Sequence, residues 1–421
     1  MAKFKLTKRE KAWILYDVGN SAFTMMVSTL IPIFFNTLAG DAGISNTNYL
    51  AYWGYAGSVA TILTAIIGPV FGTIADRKDT KKRVFLVSLI LGASACILMG
   101  FAWSWLAFLV IFVIAKVSYS SSLVFYDAML PETTTEERMD NVSSQGYAWG
   151  YIGSCVPFII CIVVFVLANM LNKIPMRAAM ILVFAITAVW WVLMTVPLLK
   201  TYKQEQYVEA QGNPFLQSFR QLGRTFRDIR HEKHIFLFLL AFFFFIDGVY
   251  TIIDMAVAYG TAVGLDTTGL LIALLVTQLV AFPCAIIFGR LAAKYDTGLL
   301  IRICIAAYTC ITVFAIFLAH QWQFWFLAVA VGMFQGGIQA LSRSYFGKII
   351  PAEKSGEYFG LYDICGKGAA FMGTTLMAAV TQITGRQNLG VGSIVIIFLI
   401  GFLVFSAADK TCKAAAGNPA N

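Results

Sequence analysis

The amino-acid sequence predicts an all-α polytopic membrane protein, with twelve transmembrane helices in two six-helix bundles. Three observations predict it. Of 421 residues, 59% are hydrophobic and only 13% are charged, about half the charged share of an ordinary soluble domain. Mean hydropathy is +0.75, and a water-soluble globule could not hide that much apolar surface. Apolar segments recur along the whole chain, each near the roughly 20 residues that cross a bilayer core of about 30 Å. Lastly, the two halves of the chain echo each other. The net charge of +9 is not gathered into one patch, so nucleic-acid binding is excluded.

Apolar runs separated by turn or charge signals place the helices at 12–38, 50–74, 84–101, 104–128, 144–168, 177–199, 235–260, 269–292, 301–319, 324–347, 357–382 and 391–408. Helix 1 follows a basic start, Lys3–Lys11, with no cleavable signal pattern. Thr7 and Glu10 have capping-box spacing and would begin it before the membrane. Helix 2 stops at Gly72-Thr-Ile-Ala-Asp76-Arg77-Lys78-Asp79-Thr80, which a basic run leads into helix 3. Helix 4 stops at Pro131-Glu132 and helix 10 at Pro351-Ala-Glu353, while helix 8 stops at Lys294-Tyr295-Asp296-Thr297. The Gly-x-x-x-Gly pairs starting at Gly68, Gly146 and Gly332 allow close crossings by helices 2, 5 and 10. The expected organisation is an N-terminal bundle (1–199), a cytoplasmic linker (200–234) and a C-terminal bundle with a short tail (235–421). In the linker, Asn213-Pro214 and the spaced apolar residues Phe215, Phe219, Leu222, Phe226 and Ile229 suit a basic amphipathic helix on an anionic leaflet.

Sidedness follows from the basic residues. Twenty-five Lys and Arg fall at one set of loops and ends, against only Lys173, Arg177 and Arg386 at the other. The positive-inside rule makes both termini cytoplasmic, in a bacterial inner (plasma) membrane. The Asn141-Val-Ser143 sequon then lies on the cytoplasmic side and is a chance match. Seven of the eight Cys lie in apolar segments without C-x-x-C spacing, the three His lie in or beside loops, and no phosphate-binding P-loop occurs. No metal, cofactor, catalytic group or ATP-driven step is therefore expected.

The internal repeat narrows the architecture. Gly72–Thr80 recurs as Gly289–Thr297 at an offset of 217 residues, and Pro131-Glu132 as Pro351-Ala-Glu353 at 220. Two six-helix repeats of one orientation imply a two-bundle transporter with its site at the interface, near mid-membrane. Gly72–Arg83 resembles the helix 2–3 motif of the major facilitator superfamily, G-x-x-x-D-R-x-G-[RK]-[RK], with Asp79 in place of its second Gly. Further segments resemble one branch of that superfamily. They are Trp13-Ile-Leu-Tyr16-Asp17-Val-Gly-Asn20-Ser21-Ala-Phe23, Phe125-Tyr126-Asp127-Ala-Met-Leu-Pro131-Glu132, Gly336-Gly337-Ile-Gln339-Ala-Leu-Ser342-Arg343-Ser344 and Gly356-Glu357-Tyr-Phe-Gly360-Leu-Tyr362. Together they resemble the vacuolar-effluxer-like family, whose fungal members are associated with vacuolar amino-acid efflux. The superfamily resemblance implies the major facilitator fold, with helices 1, 4, 7 and 10 lining a central cavity and 3, 6, 9 and 12 facing lipid.

Charge placement agrees independently. The interiors of helices 3, 6, 9 and 12 are uncharged, while helices 1, 4, 7, 10 and 11 carry Asp17, Lys116, Asp127, Asp247, Asp254, Arg343, Asp363 and Lys367. Each costs a few kcal/mol or more in hydrocarbon, so each needs water, a partner or a ligand. By depth, Lys116, Asp247, Tyr250, Gln335, Gln339 and Lys367 are the candidate substrate-binding residues. Asp247, Asp254, Asp17 and Asn20 are candidates for ion coupling, and Asp76, Arg77, Asp127, Arg343 and Asp363 for a cytoplasmic gate. Asp363 and Lys367 have the i,i+4 spacing of an intrahelical ion pair. Midplane cations and carboxylates together suit a zwitterionic, amino-acid-like solute, with Lys116 or Lys367 for its carboxylate and Asp247 for its ammonium. The expected function is secondary active transport by alternating access, proton-coupled through Asp247. Rival readings are a sodium-coupled sugar-type symporter using Asp17, Asn20 and Ser21, a non-transporting receptor or scaffold, and an intramembrane enzyme. The expected partners of this monomer are a small-molecule substrate, a proton or sodium ion, and the lipid bilayer.

Overall fold

The computed structural model describes residues 5–44, 46–169, 173–209, 232–262 and 264–416. Among them, twelve helices are long and apolar enough to cross a membrane. We label these α1 (Lys8–Ser28 continued by Leu30–Asp41), α2 (Asn46–Ala75), α3 (Lys81–Met99), α4 (Trp105–Ala128), α5 (Glu136–Asn169) and α6 (Met176–Thr201). The second half contains α7 (Lys233–Ala262), α8 (Thr267–Ala292), α9 (Thr297–Ala315), α10 (Gln321–Ile349), α11 (Ser355–Thr384) and α12 (Gln387–Ala416). No strand occurs among the described residues, only an isolated bridge between Arg77 and Val208.

Local sequence sets the helix starts. At α1 the Thr7 hydroxyl accepts from Glu10 N–H at 3.2 Å and the Glu10 carboxylate accepts from Thr7 N–H at 2.7 Å. This capping box satisfies two otherwise orphan donors. Ser104, Asp266 and Asp296 cap α4, α8 and α9 through their side chains. Two helices outrun their apolar segments. α5 begins at Glu136 rather than 144, and α12 continues to Ala416 rather than 408. Hydropathy marks where a helix is dry, and both of these continue as polar helix beyond that point.

The buried core falls into two clusters. One joins Trp13, Phe23, Phe85, Phe112 and Trp191 of α1–α6, and the other joins Phe238, Tyr308, Phe346 and Phe398 of α7–α12. Within a bilayer such packing is held by dispersion and hydrogen bonds, because lipid is as apolar as the side chains. Large apolar residues stay exposed on α3 (Val87, Ile90, Leu91), α6 (Val189, Leu193), α9 (Ile303, Val313) and α12 (Leu399, Leu403). Those four are the helices expected to face lipid, and α2 (Ile62, Ile66), α5 (Ile159, Val163) and α8 (Leu279, Ile287) expose large apolar residues as well.

An even number of spans returns the chain to one face, on which α1 begins and α12 ends; we call it the terminal face. Just after α6 the chain is stitched to the α2–α3 turn there. Val208 N–H donates to the Asp76 carbonyl at 2.7 Å, and Gln204 Nε2 donates to the carbonyls of Ala75 and Arg77 at 3.1 Å. Glu132 accepts from Glu205 N–H at 2.7 Å and from the Tyr202 hydroxyl at 3.0 Å. The amphipathic helix expected from Pro214 onward lies outside the described residues. Asn141 of the sequon is buried near the start of α5.

Candidate functional site

At the terminal face the two bundles are closed on one another. α2 meets α11 so closely that a Cβ on Gly72 would overlap the Gly356 carbonyl oxygen. Glycine at both positions lets two backbones touch. The contact delivers Asp76 to the start of α11, where Gly356 N–H and Glu357 N–H donate to its two carboxylate oxygens at 2.8 and 2.9 Å. A carboxylate at a helix N-terminus satisfies orphan donors and meets the positive end of the helix dipole. Lys81, fully buried, completes the junction. Its ammonium donates to Glu132 at 2.6 Å and to the Ser355 hydroxyl at 2.8 Å, and lies 3.6 Å from Asp76.

A second junction forms on the other side of the interface, between α5 and the ends of α9 and α10. Asp140 accepts from the Thr297 hydroxyl at 2.7 Å, the Ser344 hydroxyl at 2.6 Å and the Lys348 ammonium at 2.5 Å. Sequence reasoning missed Asp140, because it stood outside the expected apolar span. The repeat held the signal. Glu357 follows Asp140 by 217 residues, the same offset that separates Gly289 from Gly72. The two junctions differ in chemistry: backbone donors grip a carboxylate on one side, and a lysine and two hydroxyls do so on the other. Nearby, Lys413 donates to Asp296 at 2.8 Å; that contact and the Leu299 N–H outweigh burial and hold Asp296 below its usual range.

Between these junctions Arg343 of α10 closes the floor. Its guanidinium donates to Asp17 of α1 at 3.3 Å, to Asp127 of α4 at 3.1 Å, and to the Ser143 hydroxyl and carbonyl of α5 at 2.9 and 3.0 Å. Asp17 also accepts from Asn20 at 3.3 Å and from the Tyr126 hydroxyl at 2.8 Å. The structure thus brings the expected gate residues Asp127 and Arg343 together with Asp17, a candidate for ion coupling, and sets Asp76 against α11. The Arg77 backbone takes part by holding Gln204.

Away from the terminal face, the remaining candidate residues lie on α4, α7 and α10, helices expected to line the cavity, and on α11. The Lys116 ammonium of α4 lies 5.9 Å from the centre of the Phe112 ring. Asp254, Thr24 and Ser28 are exposed. Lys367 pairs with Asp363 at 2.6 Å. The Tyr151 hydroxyl donates to Gln339 at 2.7 Å and the Thr24 and Tyr119 hydroxyls share a 2.6 Å bond, with Gln335 one turn from Gln339. Tyr250 of α7 is half-buried and its ring approaches Gly366 of α11. Asp247 stands apart. It is fully buried inside the second bundle, where one oxygen accepts from Gly373 N–H at 2.8 Å and from the Thr251 hydroxyl at 3.4 Å. Its other oxygen has no hydrogen-bond partner.

Residues 7–416 match the sequence model of the family described as vacuole effluxer Atg22 like. The chain belongs to this family. An uncharacterized MFS-type transporter of Bacillus subtilis, YxiO, is 42% identical over 407 residues, covering 96% of this chain and 95% of the relative. A fungal member, autophagy-related protein 22-1 of Penicillium rubens, is 25% identical over 285 residues, and the match takes in 60% of this chain and 46% of that protein. Among solved structures, the major facilitator transporter FucP in its outward conformation superposes with a TM-score of 0.71 at 14% identity, over 95% of this chain and 97% of FucP. A bacterial homologue of the iron transporter ferroportin, outward-facing, gives 0.69 at 15% identity, over 96% of this chain and 98% of that one. At such identities the likeness shows the fold alone. This effluxer-like chain has the major facilitator fold and is an MFS-type transporter in an integral membrane setting.

Proposed function

We propose that this chain is a secondary active transporter of a small zwitterionic, amino-acid-like solute, worked by alternating access and driven by protons. The reading is supported by charges of both signs on helices of the two bundles: Lys116 on α4 and exposed Asp254 on α7, both helices expected to line the cavity, and Lys367 on α11. A zwitterion bridging Lys116 and Asp254 would join the two bundles, which a purely cationic or anionic solute could not do as well. Asp247, expected as the ammonium partner, is sealed off in this state, so that role passes to Asp254.

The test is a thermal-shift screen of zwitterionic, sugar and organic-anion solutes on the purified chain, followed by affinity measurements. Lys116→Ala and Asp254→Asn should each weaken the retained solute about ten- to a hundredfold, the loss of one charge-assisted hydrogen bond of roughly 1.5–3 kcal/mol. Retention of neutral sugars with undiminished affinity in both variants would sink the reading.

Asp247 suits the coupling role. A buried carboxylate with one unpaired oxygen and no cation among its bonded partners is costly to keep charged, and a proton on the free oxygen removes that cost. Asp247→Asn is expected to abolish uphill accumulation driven by a pH gradient while leaving binding and equilibrium exchange measurable. Concentrative uptake at the wild-type pH dependence would exclude Asp247 as the coupling group.

The excess of basic residues at the terminal face supports a cytoplasmic location for both termini. Cysteines placed at Lys173 and Gln387 should react with an impermeant thiol reagent from outside sealed cells, and one at Gln206 should not. Labelling of Gln206→Cys would reverse the orientation.

A further inference from the structure

The residues that receive Arg343 form more than an ion pair. The centre of its guanidinium lies 4.6 Å from the Trp13 ring, 4.3 Å from Tyr147 and 5.5 Å from Tyr126. Aromatic faces at these distances attract cations through the ring quadrupole. Two carboxylates, Asp17 and Asp127, take its N–H edges, and Ser143 takes two more donors. Every one of these six residues belongs to α1, α4 or α5, and so to the first bundle. Arg343 alone comes from the second bundle.

The cage is held in shape without Arg343. The Tyr126 hydroxyl and the Asn20 amide both donate to Asp17, and the Trp13 indole donates to the Tyr126 carbonyl at 3.0 Å. Trp13 and Tyr126 stack with centroids 4.3 Å apart. Gly146 leaves the remaining room, since a Cβ there would stand 2.5 Å from an Asp17 oxygen and 3.0 Å from Arg343. When the bundles part at the terminal face, Arg343 leaves with α10. The first bundle then keeps an aromatic box with two carboxylates and no counter-charge among the residues that lined it, which is unfavourable while empty.

We propose that this cage is a binding site for a planar organic cation, a guanidinium-bearing solute. The cation enters from the terminal face when the floor is open and is expelled when Arg343 returns to close it. Arg343 is then an internal stand-in for the ligand, and the two compete for one set of acceptors. The proposal rests on the alternating-access reading only in that the floor must open.

The experiment uses the full chain in nanodiscs, with methylguanidinium as the probe and potassium chloride at equal ionic strength as the control. Ser144→Cys is the reporter, because Ser144 is fully buried on α5 where Gly289 of α8 packs against it across the interface. A ligand that binds only the floor-open state multiplies the weight of that minor state by one plus the ratio of ligand concentration to its open-state dissociation constant, so labelling should accelerate about tenfold at roughly ten times that constant. Cys96, buried in the core of the first bundle, should stay unreactive, which separates opening from unfolding. Gly146→Ala, which narrows the cage, and Asp127→Asn, which removes one carboxylate, should each shrink the response. Arg343→Ala protein, its cage vacated, should be stabilised against heat by methylguanidinium. Labelling no faster in methylguanidinium than in potassium, while Asp76→Ala still accelerates it, would show the cage to be an internal bridge only and overturn the proposal. Should neither ligand nor Asp76→Ala change labelling, the floor does not open, and both this proposal and alternating access fall.

Discussion

Asp76→Ala is expected to shift the population from the arrangement described above toward one open at the terminal face, by about thirtyfold or more. The variant strands Gly356 N–H and Glu357 N–H, both buried, without an acceptor. Leaving buried donors unpaired costs about 1–3 kcal/mol each, whereas in the open state water satisfies them. Asp76→Asn retains one acceptor oxygen and should fall between wild type and alanine. The affected contact joins two bundles, each with its own core, so the melting temperature should move little. Thiol labelling of Ser144→Cys, or spin-label distances across the α2–α11 contact, would read the shift. Unchanged accessibility in both variants would remove Asp76 from the gate.

Gly72→Ala should act in the same direction by a different cause. Its Cβ would overlap the Gly356 carbonyl, and Glu357 N is also within 3.2 Å. Backbone atoms of two helices cannot turn aside as a flexible side chain can, so α2 and α11 must separate. Overpacking typically costs about 1–3 kcal/mol, and a backbone obstacle belongs at the top of that range. The closed arrangement should become the minor one, with transport lost while purified protein remains folded. Because separation already breaks the Asp76 bonds, Asp76→Ala on top of Gly72→Ala should add far less than it does alone. Full additivity would mean that the two residues report on different contacts.

The spans and their number were largely legible in the sequence, since a bilayer forces a long apolar run for each crossing. Asp127 and Arg343 could be named as gate candidates, and Asp17 as an ion-coupling one, because charges on cavity helices need partners. The sequence did not assign Arg343 to both carboxylates, or set aromatic rings around it. Trp13, Tyr126 and Tyr147 look like ordinary core residues along the chain, and their convergence depends on how α1, α4 and α5 are rotated. Asp247 illustrates the opposite limit. Depth along α7 was readable from residue count, but whether the side chain faces the cavity or α11 depends on helix rotation. Asp140 and Lys348 were hidden at helix ends, where hydropathy has no signal.

α11 carries Gly356 and Glu357 at the gate, Lys367 in the cavity and Gly373 against Asp247. Gly356 and Gly373 are 17 residues apart on one helix, about 26 Å at 1.5 Å per residue. Thermodynamic reciprocity then constrains all three. Whatever factor a solute at Lys367 applies to closure at Asp76, closure must apply to the affinity for that solute, and the same holds for a proton at Asp247. Under the proposed function, a variant altered only at the gate, more than four helical turns from Asp247, should therefore change the affinities for solute and for proton, each to the extent that the ligand itself shifts closure.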